Sequence, residues 1–299
     1  MSPIRRRTFC LGSATVAALC PLALKAQTQA PRVVASFSIL ADMAQELVPA
    51  GVQVTALVGP DSDAHVYEPS PADGRRLAQA DLVLINGLGF EGWIERMVKV
   101  SGYRGVVAVA SQGIKTRSGG HHDTDPHAWQ DLALARRYAA NISAAFAQRW
   151  PDQRDEITRR SADYVARIES LDAQVRGWLG AVPRALRRVI TSHDAFGYFG
   201  AAYGVDFLAP QGWTTHSEPS AAAVARLIRQ IKTEGVRAIF IENISDPRLV
   251  ERIAREGGVR VGGTLYSDAL SRPGGPADTY LNLFKHNASV LAQALAPRG

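Results

Sequence analysis

Cysteine is almost missing from this chain of 299 residues, since Cys10 and Cys20 are the two that it contains. Both lie within residues 1–26, a segment with four basic residues and no acidic one. A cationic start followed by an apolar run is the layout of an export signal. Removal of that signal would leave a chain without thiols, which forms no disulfide and binds no metal through sulfur.

A hydrophobic run long enough to span a membrane is also missing from the signal. Its apolar run, Phe9 to Leu24, has 16 residues and includes Pro21, whereas a spanning helix needs about 20. The string Arg6-Arg7-Thr8-Phe9-Cys10-Leu11 resembles a twin-arginine export signal, and an ordinary secretory signal is the alternative. The sequence therefore predicts an exported, periplasmic protein.

The end of the signal gives two further expectations. Cleavage after Ala26 or after Ala30 is compatible with the small residues there. Lipid attachment to Cys20 is not expected, because Leu19 stands where a lipoprotein signal needs Gly or Ala.

Most of the excess of positive charge lies in the same segment. The net charge of +6 and the pI of about 9.5 suggest an anionic partner such as nucleic acid. Without residues 1–26, however, 30 basic residues face 28 acidic ones, a net charge of +2. Since the remaining chain shows no basic stripe and no aromatic platform, nucleic-acid binding is not expected.

The pattern along the rest of the chain predicts α/β architecture, because apolar strand-like runs alternate with helical patterns. Four such runs fall in each half, which indicates two lobes, each with a four-stranded parallel sheet flanked by helices. We place the N-terminal lobe at residues 31–150, a linking helix at 151–180 and the C-terminal lobe at 181–299. The predicted strands are Val33–Ser36, Val52–Val58, Leu82–Asn86, Val106–Ala110, Val189–Ser192, Val205–Leu208, Ala238–Ile241 and Val259–Leu265.

The segment from Pro151 to Trp178 predicts one long helix between the lobes. It has no interior proline. A buried face with alternating spacings of four and three is predicted at Ile157, Ser161, Tyr164, Ile168, Leu171, Val175 and Trp178. At 1.5 Å per residue this helix would be roughly 40 Å long and would join the lobes stiffly. Two shorter helices that break near Ser161 are the alternative.

Three histidines and one aspartate are candidate metal ligands, because each falls beyond the carboxyl end of a predicted strand. They are His65, His127, His193 and Asp268, two from each predicted lobe. Open α/β sheets collect their ligands at these strand ends, so we expect one site in the cleft. Three imidazoles and a carboxylate suit a first-row dication, and the nitrogen-rich set favours Zn²⁺.

Several stretches resemble the zinc- and manganese-binding solute-binding proteins of ABC transporters, the ZnuA/TroA-like group. The likeness covers nearly the whole chain after the signal, in the same order. The stretches are His65-Val66-Tyr67-Glu68-Pro69-Ser70-Pro71, Asp125-Pro126-His127-Ala128-Trp129, Thr191-Ser192-His193-Asp194-Ala195-Phe196-Gly197-Tyr198, Glu218-Pro219-Ser220 and Tyr280-Leu281-Asn282.

The resemblance implies a periplasmic monomer that is not an enzyme. It would bind Zn²⁺, or Mn²⁺ as the alternative, with His65, His127, His193 and Asp268, and would deliver the ion to an inner-membrane ABC permease with its ATPase. Relatives that favour manganese tend to carry Glu at the third ligand, where this chain has His193. The usual Asp-Pro-His of the first ligand is Asp63-Ala64-His65 here.

Two other functions fit parts of the pattern less well. A zinc hydrolase keeps an open coordination position for water, whereas this chain offers four ligands and no His-Glu-x-x-His helix. A surface adhesin is a further alternative, although no residue pattern marks a partner surface.

Five other residues lie outside the predicted ligand set. The His121-His122 loop is either a metal-capturing segment or a solvated turn, and Glu242 is either an acceptor for a ligand histidine or a cleft acid without a role. We expect His216 on the surface and His286 in a structural position within the last helix.

Overall fold

The computed structural model describes residues 30–118 and 124–297. The predicted export signal and the His121-His122 loop therefore lie outside the described residues. The described part of the chain is α/β throughout, as the alternation of strand and helix patterns predicts.

The N-terminal half alternates strands and helices along the chain. Its apolar runs form strands that are buried on both faces where helices cover them, as parallel sheets require. Its elements are β1 (Arg32–Phe37), α1 (Ser38–Leu47), β2 (Gln53–Val58), α2 (Pro71–Ala78), β3 (Leu82–Ile85), α3 (Ile94–Ser101), β4 (Val106–Val109) and α4 (Leu132–Arg149).

The C-terminal half repeats this alternation after a long helix. Its elements are α5 (Arg154–Gly180), β5 (Arg188–Ile190), α6 (Gly197–Tyr203), β6 (Asp206–Leu208), α7 (Ala221–Thr233), β7 (Ala238–Glu242), α8 (Pro247–Gly257), β8 (Val261–Leu265) and α9 (Tyr280–Leu295).

The two sheets have the same topology. Their strand orders are β2-β1-β3-β4 and β6-β5-β7-β8, and all neighbouring strands are parallel. In each sheet the order reverses between the first and third strands of the lobe. This reversal leaves a crevice beyond the carboxyl ends of β1 and β3, and of β5 and β7, where side chains and ligands collect.

Helix α5 is one continuous helix of 27 residues, so the alternative with a break near Ser161 is wrong. At 1.5 Å per residue it is about 40 Å long. A single 3-10 turn, Pro151–Gln153, precedes it. Its buried face follows the prediction except at two positions. Ser161 is only partly buried, and at the end Leu179 is buried in place of the predicted Trp178.

One hydrophobic core extends through both lobes. It includes β1 and α4 of the first lobe, the buried face of α5, and α6 and α9 of the second lobe. Smaller clusters lie under α2 and α3 and under α7 and α8, on the outer faces of the two sheets. Among the described residues, no helix is both long and apolar enough to cross a membrane.

Candidate metal centre

The four predicted ligand residues meet in one buried cluster between the two sheets. His65 lies between β2 and α2, His127 precedes α4, His193 follows β5 and Asp268 follows β8. One donor atom from each residue lies within 4.8 Å of all the others. Each residue is at most 2% exposed, so water has almost no access to the cluster.

The distances between donor atoms match those around a small ion. Nε2 of His65 lies 3.3 Å from Nε2 of His127. Asp268 places Oδ2 at 3.3 Å from Nε2 of His65 and at 3.2 Å from Nε2 of His193, and Oδ1 at 3.6 Å from Nε2 of His127. Tetrahedral bonds of about 2.0–2.1 Å give ligand separations of roughly 3.3–3.4 Å, so these four donors fit a zinc-sized ion.

Two of the four residues have donor atoms that no hydrogen bond to the protein satisfies. Both carboxylate oxygens of Asp268 and Nε2 of His193 are buried without a hydrogen-bond partner in residues 30–118 and 124–297. A buried polar atom without a partner carries a cost of roughly 1–3 kcal/mol, and more when it is charged. A cation at the centre of the cluster would satisfy these atoms.

Asp125 orients His127 from two residues earlier in the chain. Its Oδ1 accepts the backbone N–H of His127 at 3.0 Å and lies 2.9 Å from Nδ1 of the same residue. With Nδ1 occupied in this way, the lone pair of Nε2 faces the cluster. Asn86 at the end of β3 fixes this loop, because its side chain donates to the carbonyl of Pro126 at 3.0 Å.

Glu242 orients His193 from the neighbouring strand. It ends β7, which pairs with β5, and it is fully buried. Its Oε1 accepts the backbone N–H of His193 at 2.9 Å. Its Oε2 lies 2.7 Å from Nδ1, the distance of an ion pair with a protonated imidazole, although the two atoms are not aligned for a hydrogen bond. Glu242 is thus an acceptor for the peptide N–H of a ligand histidine, which matches the first of its two interpretations.

The loop that carries Asp268 is held by the other lobe. Trp129 and Gln130, just after His127, donate side-chain N–H groups to the carbonyl of Ser267 at 3.0 and 2.8 Å. On the far side of Asp268, the N–H of Leu270 donates to Oγ of Ser38 at 3.0 Å. The aspartate is therefore positioned by contacts between the lobes.

The electrostatics of the cluster are set by burial and by its carboxylates. Burial lowers the pKa of His65. Burial also opposes protonation of His127, but Asp268 and Asp125 outweigh it and raise the pKa of His127 to about 9. In the same way, burial lowers the pKa of His193, while Glu242 and Asp268 raise it well above its ordinary value. Burial raises the pKa of Asp268, yet the neighbouring His127 and His193 hold it well below its usual range. The ion-free site therefore favours positive charge at its centre.

The remaining residues singled out in the sequence lie away from the cluster. His216 is exposed, as expected. His286 is half-buried in α9, with Nε2 3.0 Å from the carbonyl of Thr264. Asp125, in contrast, contacts His127, and the sequence pattern alone did not assign it that role. Its position two residues before a candidate ligand histidine could have indicated the contact.

The fold has two α/β lobes with a buried set of donor atoms between them. This arrangement is typical of substrate-binding proteins, which enclose a small ligand between two lobes. Residues 33–294 match the family described as "Zinc-uptake complex component A periplasmic". The chain belongs to this family of metal-binding substrate-binding proteins.

Individual relatives support the same membership. The zinc-binding protein TroA of Treponema pallidum is 34% identical over 277 residues, which cover 89% of both chains. The manganese-binding lipoprotein MntA of Bacillus subtilis is 32% identical over 280 residues, 91% of this chain and 92% of the relative. The solved structure of the Treponema pallidum TroA superposes with a TM-score of 0.86 at 31% identity, covering 89% of this chain and 99% of that one.

Proposed function

We propose that this chain is the periplasmic zinc-binding component of an ABC importer. In this proposal His65, His127, His193 and Asp268 hold one Zn²⁺ ion between the lobes. The observation that carries the proposal is the convergence of four buried donors, two from each sheet, within 4.8 Å of one another. Zinc and imidazole nitrogen form bonds of about 2.0–2.1 Å, the length that the donor spacing suits.

The donor set favours zinc over manganese. Manganese prefers oxygen ligands, whereas three of the four donors here are imidazole nitrogens. The second candidate cargo is nevertheless Mn²⁺, because a manganese-binding relative is nearly as similar as the zinc-binding one. Both carboxylate oxygens of Asp268 face the cluster, so a higher coordination number is compatible with the same residues.

Binding and delivery, not hydrolysis, fit this site. A catalytic zinc normally has three protein ligands and an open position for water, whereas four protein donors enclose this centre. We propose that the chain acts as a monomer outside the cytoplasm and hands its ion to an inner-membrane permease driven by an ATPase. Its lobes would comprise residues 31–150 and 181–299, joined by residues 151–180.

Metal titration of the purified mature protein tests this function. We expect one Zn²⁺ per chain by calorimetry and elemental analysis, and loss of that site in the double variant His127→Ala/His193→Ala. His216→Ala, which changes an exposed histidine outside the cluster, is the matched control and should bind as the parent does. Undiminished zinc binding by the double variant would overturn the assignment.

Competition between the two metals decides the cargo. Protein loaded with equal amounts of Zn²⁺ and Mn²⁺ should retain zinc, since the Irving–Williams order and the imidazole donors both favour it. Metal content of protein isolated from its own periplasm gives the same comparison under natural supply. Equal or preferential retention of Mn²⁺ would replace zinc by manganese as the cargo.

A further inference from the structure

A cavity of about 410 Å³ lies on the C-terminal lobe beside the metal centre. Its lining includes Ser192, which immediately precedes the ligand His193, and Asp63, which lies two residues before the ligand His65. Thr215, Glu218 and Asp246 line it from the C-terminal lobe. The cavity therefore borders a ligand-bearing loop of each lobe.

A hydrogen bond between side chains joins the two lobes at this cavity. The hydroxyl of Thr215 donates to Oδ2 of Asp63 at 2.5 Å. The other oxygen of Asp63, Oδ1, accepts the backbone N–H of His65 at 2.8 Å. The carboxylate of Asp63 thus joins the segment that contains Thr215 to the loop that contains a ligand.

The segment at residues 209–219, between β6 and α7, has almost no regular secondary structure of its own. Its attachment to the C-terminal ligand loop is through backbone groups. Gln211 forms an isolated bridge with His193, and the N–H of Asp194 donates to the carbonyl of Gly212 at 3.2 Å. Residues 209–219 therefore contact the loops that carry His65 and His193.

The lining chemistry suits the passage of a cation. Asp246 is paired with Arg248, whose Nε lies 2.7 Å from Oδ2, which leaves Asp63 and Glu218 as the excess negative charge of the cavity. Oγ of Ser192 is buried and without a hydrogen-bond partner in the part of the chain that the structure describes. Carboxylate and hydroxyl oxygens would replace part of the hydration shell of an ion as it moves inward.

We propose that this cavity is the passage between solvent and the metal centre, and that the hydrogen bond from Thr215 to Asp63 keeps it closed. The inference rests on the proposed metal-binding function and adds the route of the ion. The ligands are at most 2% exposed, so an ion enters or leaves only when a covering segment moves. Residues 209–219 are that segment, and Thr215 is a positioning residue that does not itself bind the ion.

The rate of metal release tests the role of Thr215. Zinc-loaded mature protein is mixed with an excess of chelator in a stopped-flow instrument. Thr215→Val keeps the shape of the side chain and removes its hydroxyl, so we expect release to be about tenfold faster, the factor for losing one hydrogen bond to a charged acceptor. Thr215→Ser, which restores a hydroxyl, should release at nearly the parent rate.

Thr214→Val provides the matched control, because Thr214 is the exposed neighbour of Thr215. It should release zinc at the parent rate, and the absorption spectrum of bound Co²⁺ should be the same in all variants. Parent-rate release from Thr215→Val, or equal acceleration by Thr214→Val, would overturn the closure. A changed Co²⁺ spectrum in Thr215→Val would also overturn it, since Thr215 would then set ligand geometry instead.

The rate of metal uptake tests the route itself. Glu218→Gln removes negative charge from the cavity, so we expect Zn²⁺ association to slow several-fold at low ionic strength and the difference to vanish at high salt. Glu95→Gln changes an exposed acid of α3 outside the cavity and should leave uptake unchanged. Equal rates for the parent and Glu218→Gln at low salt would overturn the route. A parent protein that takes up no zinc would instead overturn the proposed function.

Discussion

Each ligand histidine has a carboxylate that accepts its backbone N–H. Asp63 does this for His65 and Asp125 for His127, each from two residues earlier, at 2.8 and 3.0 Å. Glu242 does it for His193 at 2.9 Å from another strand. Such contacts fix the peptide of the ligand before any ion arrives, so less ordering remains when the ion binds.

Removal of the charge at Glu242 should weaken zinc binding. Glu242→Gln keeps the size of the side chain and its acceptor, but it loses the carboxylate that lies 2.7 Å from Nδ1 of His193. We expect the dissociation constant to rise about 10- to 100-fold, the usual cost of losing such a partner. Competition with a chelator of known affinity measures it.

Glu251→Gln on α8 is the control for this change, because it replaces one acid by its amide away from the cluster. It should bind zinc as the parent does. Parent-like affinity in Glu242→Gln would show that position, and not charge, is what Glu242 supplies.

The two kinds of carboxylate differ in how far they can be predicted from sequence. Asp63 and Asp125 precede their histidines by two residues, a local pattern typical of an Asx-turn. Glu242 lies 49 residues from His193, and its role depends on the pairing of β5 with β7. The four ligands were predictable because strand ends gather at one edge of a parallel sheet, whereas the bond between Thr215 and Asp63 depends on how the lobes meet.

Among the elements, helix α5 links the two lobes through its buried face. Its buried positions, from Ile157 to Leu179, belong to the core that runs through both lobes. The spacing of apolar residues predicted this face but placed Trp178, instead of Leu179, at its last position. Both residues fit the helical spacing, because they follow Val175 by three and by four residues. Strand positions were predicted within about two residues, since Gly, Pro and polar residues bound each apolar run.

Two glycines should respond oppositely to replacement by alanine. Gly177 lies exposed within α5, and a Cβ there would meet no atom within 4 Å, so Gly177→Ala should raise the free energy of unfolding by roughly 0.5–1 kcal/mol. Gly102 ends α3 with φ of 73°, a left-handed conformation that costs alanine about 1–2 kcal/mol.

Chemical denaturation of both variants measures these changes. Gly102→Ala should lower the free energy of unfolding by about 1 kcal/mol. A destabilised Gly177→Ala protein would contradict a regular, solvent-facing helix at that point of α5.

Helices α1 and α9 meet at a carboxylate that titrates near neutral pH. Asp42 accepts the N–H of Tyr280 at 2.8 Å. Burial raises the pKa of Asp42 to about 6, above the ordinary value of 3.8, and Glu46 and Asp278 add to the rise, while the Tyr280 N–H and Arg167 oppose it. The folded state therefore holds this proton more tightly than the unfolded state does.

That raised pKa fixes the sign of a pH effect on stability. Ionised Asp42 costs the folded state about 3 kcal/mol above pH 6, and the cost disappears as the pH falls towards 4. Asp42→Asn should therefore raise the free energy of unfolding by about 2–3 kcal/mol at pH 8 and by almost nothing at pH 4. Urea denaturation at both pH values measures it.

Asp152→Asn, at an exposed position before α5, is the control and should give the same small change at both pH values. An equal gain from Asp42→Asn at pH 8 and pH 4 would contradict the assigned pKa.

At the scale of the whole molecule, the lobes share one core and several direct bonds. Tyr198 of α6 donates its hydroxyl to the carbonyl of Asp125 at 3.0 Å and accepts the N–H of Arg117 at 3.0 Å. Asp61 donates its N–H to the carbonyl of Leu270 at 2.9 Å. With a continuous helix as the link, such a body resists large hinge motion.

Metal binding should therefore change the overall shape little. We expect small-angle scattering to give radii of gyration for the metal-free and zinc-loaded protein that agree within about 1 Å, since the proposed opening moves only residues 209–219. Binding of Co²⁺ in place of zinc serves as the control for a second ion of similar size. A contraction of several ångströms on loading would contradict a stiff link.

In the proposed centre one metal ion is held between the lobes by His65, His127, His193 and Asp268. Anomalous diffraction at the zinc edge from crystals of the zinc-loaded protein locates that ion. We expect one strong peak about 2.0–2.1 Å from Nε2 of the three histidines and a similar distance from a carboxylate oxygen of Asp268. A zinc peak elsewhere on the chain, with these four side chains uncoordinated, would contradict it.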